Sequence, residues 1–94
     1  MSVEIGNLEI SGPGVKVSVS EAGDDIVISG YATEEISKTE IIKKMDSLQD
    51  GKAERVLLLT DHGIFIEGVW KVSQPSYTVE ASGRLVFKIS LLRK

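Results

Sequence analysis

His62 is the only histidine in the chain, and it sits between Asp61 and Gly63 with Glu67 five residues on. An imidazole beside a carboxylate is the usual pairing for a general base, and a histidine with acids nearby is also a partial metal set. Both chemistries need a second histidine or cysteine, or a nucleophile for the base to serve. The Asp-His-Gly triplet reads first as a tight, solvated turn in which Gly63 is free to take positive φ. His62 is therefore expected to carry neither catalysis nor a metal. Asp24-Asp25 and the pair Asp46 and Asp50 are further oxygen donors, but they lack the alternating ligands and closing glutamate of an EF-hand loop. Gly12-Pro13-Gly14 and Gly23 match neither GxxxxGK[ST] nor GxGxxG, so no phosphate loop is read here. No serine lies in a nucleophile elbow. The expectation is a non-enzyme, with no catalytic, cofactor-binding or metal residues.

Composition narrows the classes further. Ninety-four residues make one domain, 1–94, large enough for a single core. Cysteine is absent, which removes disulfides, thiol catalysis and thiolate metal sites. No apolar run approaches the ~18 residues that span a bilayer. The first residues, Met1-Ser2-Val3-Glu4-Ile5, show no basic stretch followed by an apolar one, so no secretory signal is read and no membrane insertion is expected. Net charge is −3, unevenly divided. Residues 1–50 hold ten acids and four bases (−6), whereas residues 51–94 hold four acids and seven bases (+3). This is ordinary variation on a solvated surface or a basis for complementary contact between copies. A net acidic chain without a basic stripe is a poor nucleic-acid binder.

The elements follow from periodicity. Residues 15–20 and 26–31 alternate apolar and polar around a turn at 22–25, the pattern of a hairpin. Residues 3–10 are a weaker strand interrupted by Gly6-Asn7, and residues 1–14 are an arm or an edge strand, or else an ordered part of the core. Ser37-Lys38-Thr39-Glu40 fits a capping box, with Ile36 and Ile41 spaced as a hydrophobic staple. Ile41, Met45 and Leu48 then make an apolar stripe, broadened by Ile42. Glu40 and Lys44 can pair on the outer side. A helix is expected over 37–49, stopped at Asp50-Gly51, with a start at Thr33 as the alternative.

Residues 53–60 and 64–73 pair through 61–63, and the run Val56-Leu57-Leu58-Leu59 suggests burial on both faces. Pro75 cannot donate to a ladder, so 74–76 should bend the strand or leave the sheet. Residues 77–81 return through Ser82-Gly83 to 84–92. The expected fold is α+β: a mainly antiparallel β-sandwich or split barrel of six to seven strands with one helix.

Strand alternation sorts the aromatic residues. Of the aromatic group Trp70, Tyr77, Phe65 and Phe87, Trp70 shares a face with Ile64, Ile66 and Val72, and its default role is core packing. Phe65 and Val69 fall on the opposite face with Glu67 and Lys71. With the closing Leu91-Leu92 they form the candidate interface: Phe65, Val69, Leu91 and Leu92. Apolar patches rimmed by charge mark protein contacts, and aromatic residues favour their centres.

The strand containing Ile28-Ser29-Gly30, the single short helix, the Ile66-Glu67-Gly68-Val69-Trp70 strand and the closing Phe87-Lys88-Ile89-Ser90-Leu91 together resemble small tail or baseplate proteins of tailed phages. The chain is similar in particular to the N-terminal domain of distal tail proteins, in which an I-S-G strand precedes a helix and an F-x-I-S-L strand closes the domain. The resemblance covers about residues 15–94. It implies a structural protein without cofactor that self-assembles through sheet contacts. Its partners would be further copies of itself, in a ring, and other tail proteins; its location would be the virion or the cytoplasm. The second, receptor-facing domain of many relatives has no counterpart here, so direct host attachment is not implied. A small binding or adaptor module presenting a sheet edge is the alternative function.

Overall fold

The computed structural model describes residues 2–6, 8–59 and 65–93, with Ser2, Ala22 and Phe65 followed by backbone alone. Among the described residues, seven strands and one helix run in the order β1 (Ser2–Ile5), β2 (Leu8–Glu9), β3 (Val15–Ala22), β4 (Asp25–Ala32), α1 (Glu35–Ser47), β5 (Ala53–Leu59), β6 (Phe65–Val79) and β7 (Leu85–Arg93). The strands form a single antiparallel sheet in the order β2-β1-β5-β6-β7-β4-β3. The sheet does not close on itself: β2 and β3 are its two edges.

Alternation sends one residue in two to a common core. Val3 and Ile5, Val56 and Leu58, Trp70 and Val72, Leu85, Phe87, Ile89 and Leu91, and Ile26, Ile28 and Ala32 are all buried in one cluster. The helix lays Ile41 and Met45 onto the same face. Within residues 1–14, β2 is an edge strand, whereas β1 is interior and part of the core. It lies between β2 and β5, and Val3 and Ile5 are almost fully buried. The opposite face carries no helix, so Leu57 is only half-buried and Leu59 is exposed, against the expectation that the 56–59 run is covered on both sides.

The β3–β4 hairpin closes through a two-residue turn, Ala22 pairing with Asp25. Gly23 takes φ +66° at the first central position, as a type II′ turn requires. At Pro75 the chain does not leave the sheet: β6 is one fifteen-residue element carrying a bulge between Ser73 and Ser76. Gln74 adopts φ +49° there, and its N–H is held by the Asp50 carboxylate at 2.8 Å. The extra residue switches the facing of everything beyond it. Val72 pairs with Leu91 before the bulge, whereas Tyr77 pairs with Phe87 after it. Tyr77 therefore lies on the helix side, and its hydroxyl donates to Asp46 at 3.0 Å. That bond first, then desolvation and the Asp46 charge, raises the Tyr77 pKa.

The helix starts two residues before the expected cap and ends at Ser47. Glu34 is its N-cap and makes no side-chain capping bond, so the capping box at Ser37 and Glu40 does not form. Ile36 is 70% exposed and staples nothing. Ser37 is buried instead, within the first turn, and its hydroxyl donates to the Pro13 carbonyl at 2.7 Å. This bond ties the 10–14 linker to the helix. Lys38 does similar work on the other side, donating to the Gly83 carbonyl at 2.8 Å while pairing with Glu35 at 2.6 Å. Lys44 reaches the Glu9 carbonyl rather than Glu40. Ser37→Ala should lower stability by about 1 kcal/mol through the lost tertiary bond. Helix content measured by circular dichroism at low temperature should stay unchanged, because no cap is removed; a fall in helicity would restore the capping role.

Candidate interaction surfaces

Three places on the molecule could meet a ligand or a partner. The first is an open cleft of about 400 Å³ between the β3–β4 turn and the first half of β6. Ile26, Ile66 and Trp70 give it an apolar base, and Glu21, Asp24, Asp25 and Glu67 line it with carboxylates. Among the described residues its one cation is Arg93, which stands over the Trp70 ring at 5.7 Å from the centroid, within cation–π range. The Arg93 amide also faces Asp25 at 3.4 Å. Glu21, Asp24 and Glu67 are exposed, so their charges are solvated rather than focused on one point. Among the described residues no group of three or more acids or histidines is gathered as a metal would need. Asp46 and Asp50 are used structurally, on Tyr77 and Gln74 respectively.

The second place is the helix-free face of the sheet. Val69 is 51% exposed and stands directly opposite Arg55, which pairs with Glu67 at 2.7 Å. Leu59, 50% exposed, lies on the same face. Leu92 is half-buried there, opposite Lys71. Phe65 pairs with Leu59 through its backbone. Leu91 does not belong to this surface. It is fully buried, facing Val72 and Ile26 in the core, because strand alternation puts it on the side opposite Leu92. The terminal strand offers no edge either, since β7 is interior and pairs with β6 on one side and β4 on the other. His62 and Asp61 lie outside the described residues. Trp70 is a core residue with Ile66 and Val72, as the alternation indicated.

The third place was not singled out from sequence: the outer edge of β3. Val15, Val17 and Val19 turn toward the core but remain half-buried, while Lys16, Ser18 and Ser20 are exposed. Facing within the hairpin follows from its turn. Residues flanking a two-residue turn form a hydrogen-bonded pair, and such pairs then alternate. Ala22 and every second residue before it thus bond inward to β4. The Thr33 amide bonding to the Gly14 carbonyl at 3.2 Å continues that series. Val17, Val19 and Glu21 point their amides and carbonyls outward, away from the sheet. The sequence signal was available: eight alternating residues with no proline, no bulge and a single lysine, which are the usual devices that blunt an edge.

No family model, curated protein or solved structure matches the chain.

Proposed function

We propose that this chain is a structural component of a phage-like tail or baseplate, a small module that assembles with copies of itself through its sheet. The observation that carries the reading is the uncovered eight-residue edge of β3, far longer than the two-residue edge strand β2 at the other end of the sheet. An unpaired row of amides and carbonyls is a template for another strand, and proteins that stay apart hide it. The tail role itself rests on the resemblance carried by the strand containing Ile28-Ser29-Gly30 and the closing Phe87–Leu91 segment. Assembly at this edge would extend the open sheet with strands from another copy. The exposed face around Val69 and Leu59 offers a second contact, and a head-to-tail contact of that kind closes into a ring when its rotation permits.

A strand edge recognises main chain before side chain, so the same edge fits an adaptor that accepts a strand from a different protein. Native mass spectrometry and sedimentation over a rising concentration series separate the two. Self-assembly should appear as discrete oligomers of the 10.2 kDa chain. A chain that stays monomeric at the highest concentration rejects the tail-component reading and leaves the adaptor.

A further inference from the structure

We infer that the partner of the β3 edge is the β3 edge of a second copy, joined antiparallel about a two-fold axis that passes Ser18. This rests on the self-assembly reading above and specifies its contact.

The other free edges do not match β3. The opposite edge strand, β2, has only two residues. The far half of β6, Ser76–Val79, runs beside β7 alone, but it is short and begins at the Pro75 bulge. Among the described strands, only another β3 offers a free edge of eight unbroken residues.

Symmetry restricts the register. Two identical edges meeting antiparallel are related by an axis perpendicular to the sheet, which keeps core side with core side. Residue pairs must then join odd to odd and even to even. The outward-pointing groups belong to Val17, Val19 and Glu21, with the Val15 carbonyl; the Val15 amide is already bonded to Gly12 at 3.2 Å. Centring on Ser18 sets Val17 against Val19 of the second copy, and Glu21 against its Val15. Each chain then donates three amides and uses the three carbonyls of Val15, Val17 and Val19. All six outward amides of the two strands are satisfied.

The side chains agree with this register. On the core side, half-buried Val17 and Val19 meet each other's copies and cover apolar surface that the single chain leaves partly wet. On the other side, Ser18 faces Ser18 and Lys16 faces Ser20. No like charges are set opposite one another, although Lys16 and Glu21 are both in the strand. The product is a continuous fourteen-stranded sheet with both helices on one side.

The chain has no cysteine, so a single thiol reports the contact cleanly. Ser18 would form a non-hydrogen-bonded cross-strand pair, with Cα atoms about 4.5 Å apart, within the range a disulfide spans. Ser18→Cys under mild oxidation should convert most of the protein to a covalent dimer on a non-reducing gel, while Ser76→Cys should remain monomeric. Val19→Pro should abolish the dimer in native mass spectrometry. It removes only an outward amide, the position where an edge strand tolerates proline, so the circular dichroism spectrum should be retained. If that variant unfolds, Ser18→Lys tests the same point by setting two ammonium groups against each other across the axis. Wild-type oligomers that persist in Ser18→Lys and do not crosslink at Ser18→Cys overturn this contact while leaving self-assembly intact. Preferential crosslinking through Val19→Cys overturns the register. A wild-type chain that is monomeric throughout overturns self-assembly itself, and this contact with it.

Discussion

Gly30→Ala is expected to be among the most damaging single substitutions in the chain, although it adds one methyl group. Gly30 pairs with Phe87 on one side and Val17 on the other. A Cβ built at this position would lie 2.1 Å from the Lys16 carbonyl oxygen and 2.8 Å from Cζ of Phe87. The carbonyl belongs to the β3–β4 ladder and cannot move without breaking the pairing. The Phe87 ring is the largest fully buried side chain, and its strand is held between β4 and β6. Overpacking of this kind costs about 1–3 kcal/mol where side chains can give, and more where backbone must. A domain of this size has a total of ~5–15 kcal/mol to lose. Gly23→Ala is the control. Nothing lies within 4 Å of that position, and its φ of +66° alone should cost ~1 kcal/mol. Thermal melts of the two variants should differ widely, with Gly30→Ala the lower. Coincident melts would mean that β3 moves away from β4 without penalty.

The same glycine shows how far the sequence could be read. The strand holding Ile28-Ser29-Gly30 was legible from alternation, as were β3 and β7, because each sends one residue in two to the core, whereas β5 showed only as an apolar run whose facing the run itself does not tell. Local periodicity does not tell which strands are neighbours. Nothing in residues 84–92 says that the last strand is inserted between β6 and β4, so its leucines looked like an end with a free edge. The bulge at Gln74 was visible only as a proline. One extra residue there keeps the strand in the sheet while reversing its facing, a balance that pairing with β7 decides. The helix was found by its stripe, but its start was misplaced. Ser37 fits a cap by type, and the competing use of its hydroxyl on Pro13 is a tertiary bond that no local pattern encodes. The interface residues divide the same way. Val69 and Leu92 could be placed on the outer face by counting twos, whereas the outer edge of β3 becomes apparent only once the strand order is known.

Leu91 and Val69 give the sharpest contrast between core and surface. Both were candidate contacts, and both are aliphatic residues in strands near the middle of the sheet. Leu91 has no exposed surface and packs between Ile26 of β4 and Val72 of β6, whereas Val69 is 51% exposed opposite Arg55. Leu91→Ala leaves a hole that flanking strands, held by ladders on both sides, cannot collapse to fill, and ~2–5 kcal/mol should be lost. Val69→Ala removes little buried area and should cost no more than ~1 kcal/mol, chiefly in strand preference. Urea unfolding of the two variants at a concentration where the chain is monomeric measures both directly. The Leu91→Ala midpoint should fall steeply at an unchanged slope, and the Val69→Ala midpoint should stay close to the parent. The order should reverse for assembly if the outer face takes part in it. Val69→Asp should then weaken oligomers while the monomer keeps its fold, since a carboxylate at an exposed position needs no partner. A Val69→Asp chain that unfolds like Leu91→Ala would place residue 69 inside a packed layer, contrary to its position on the helix-free face.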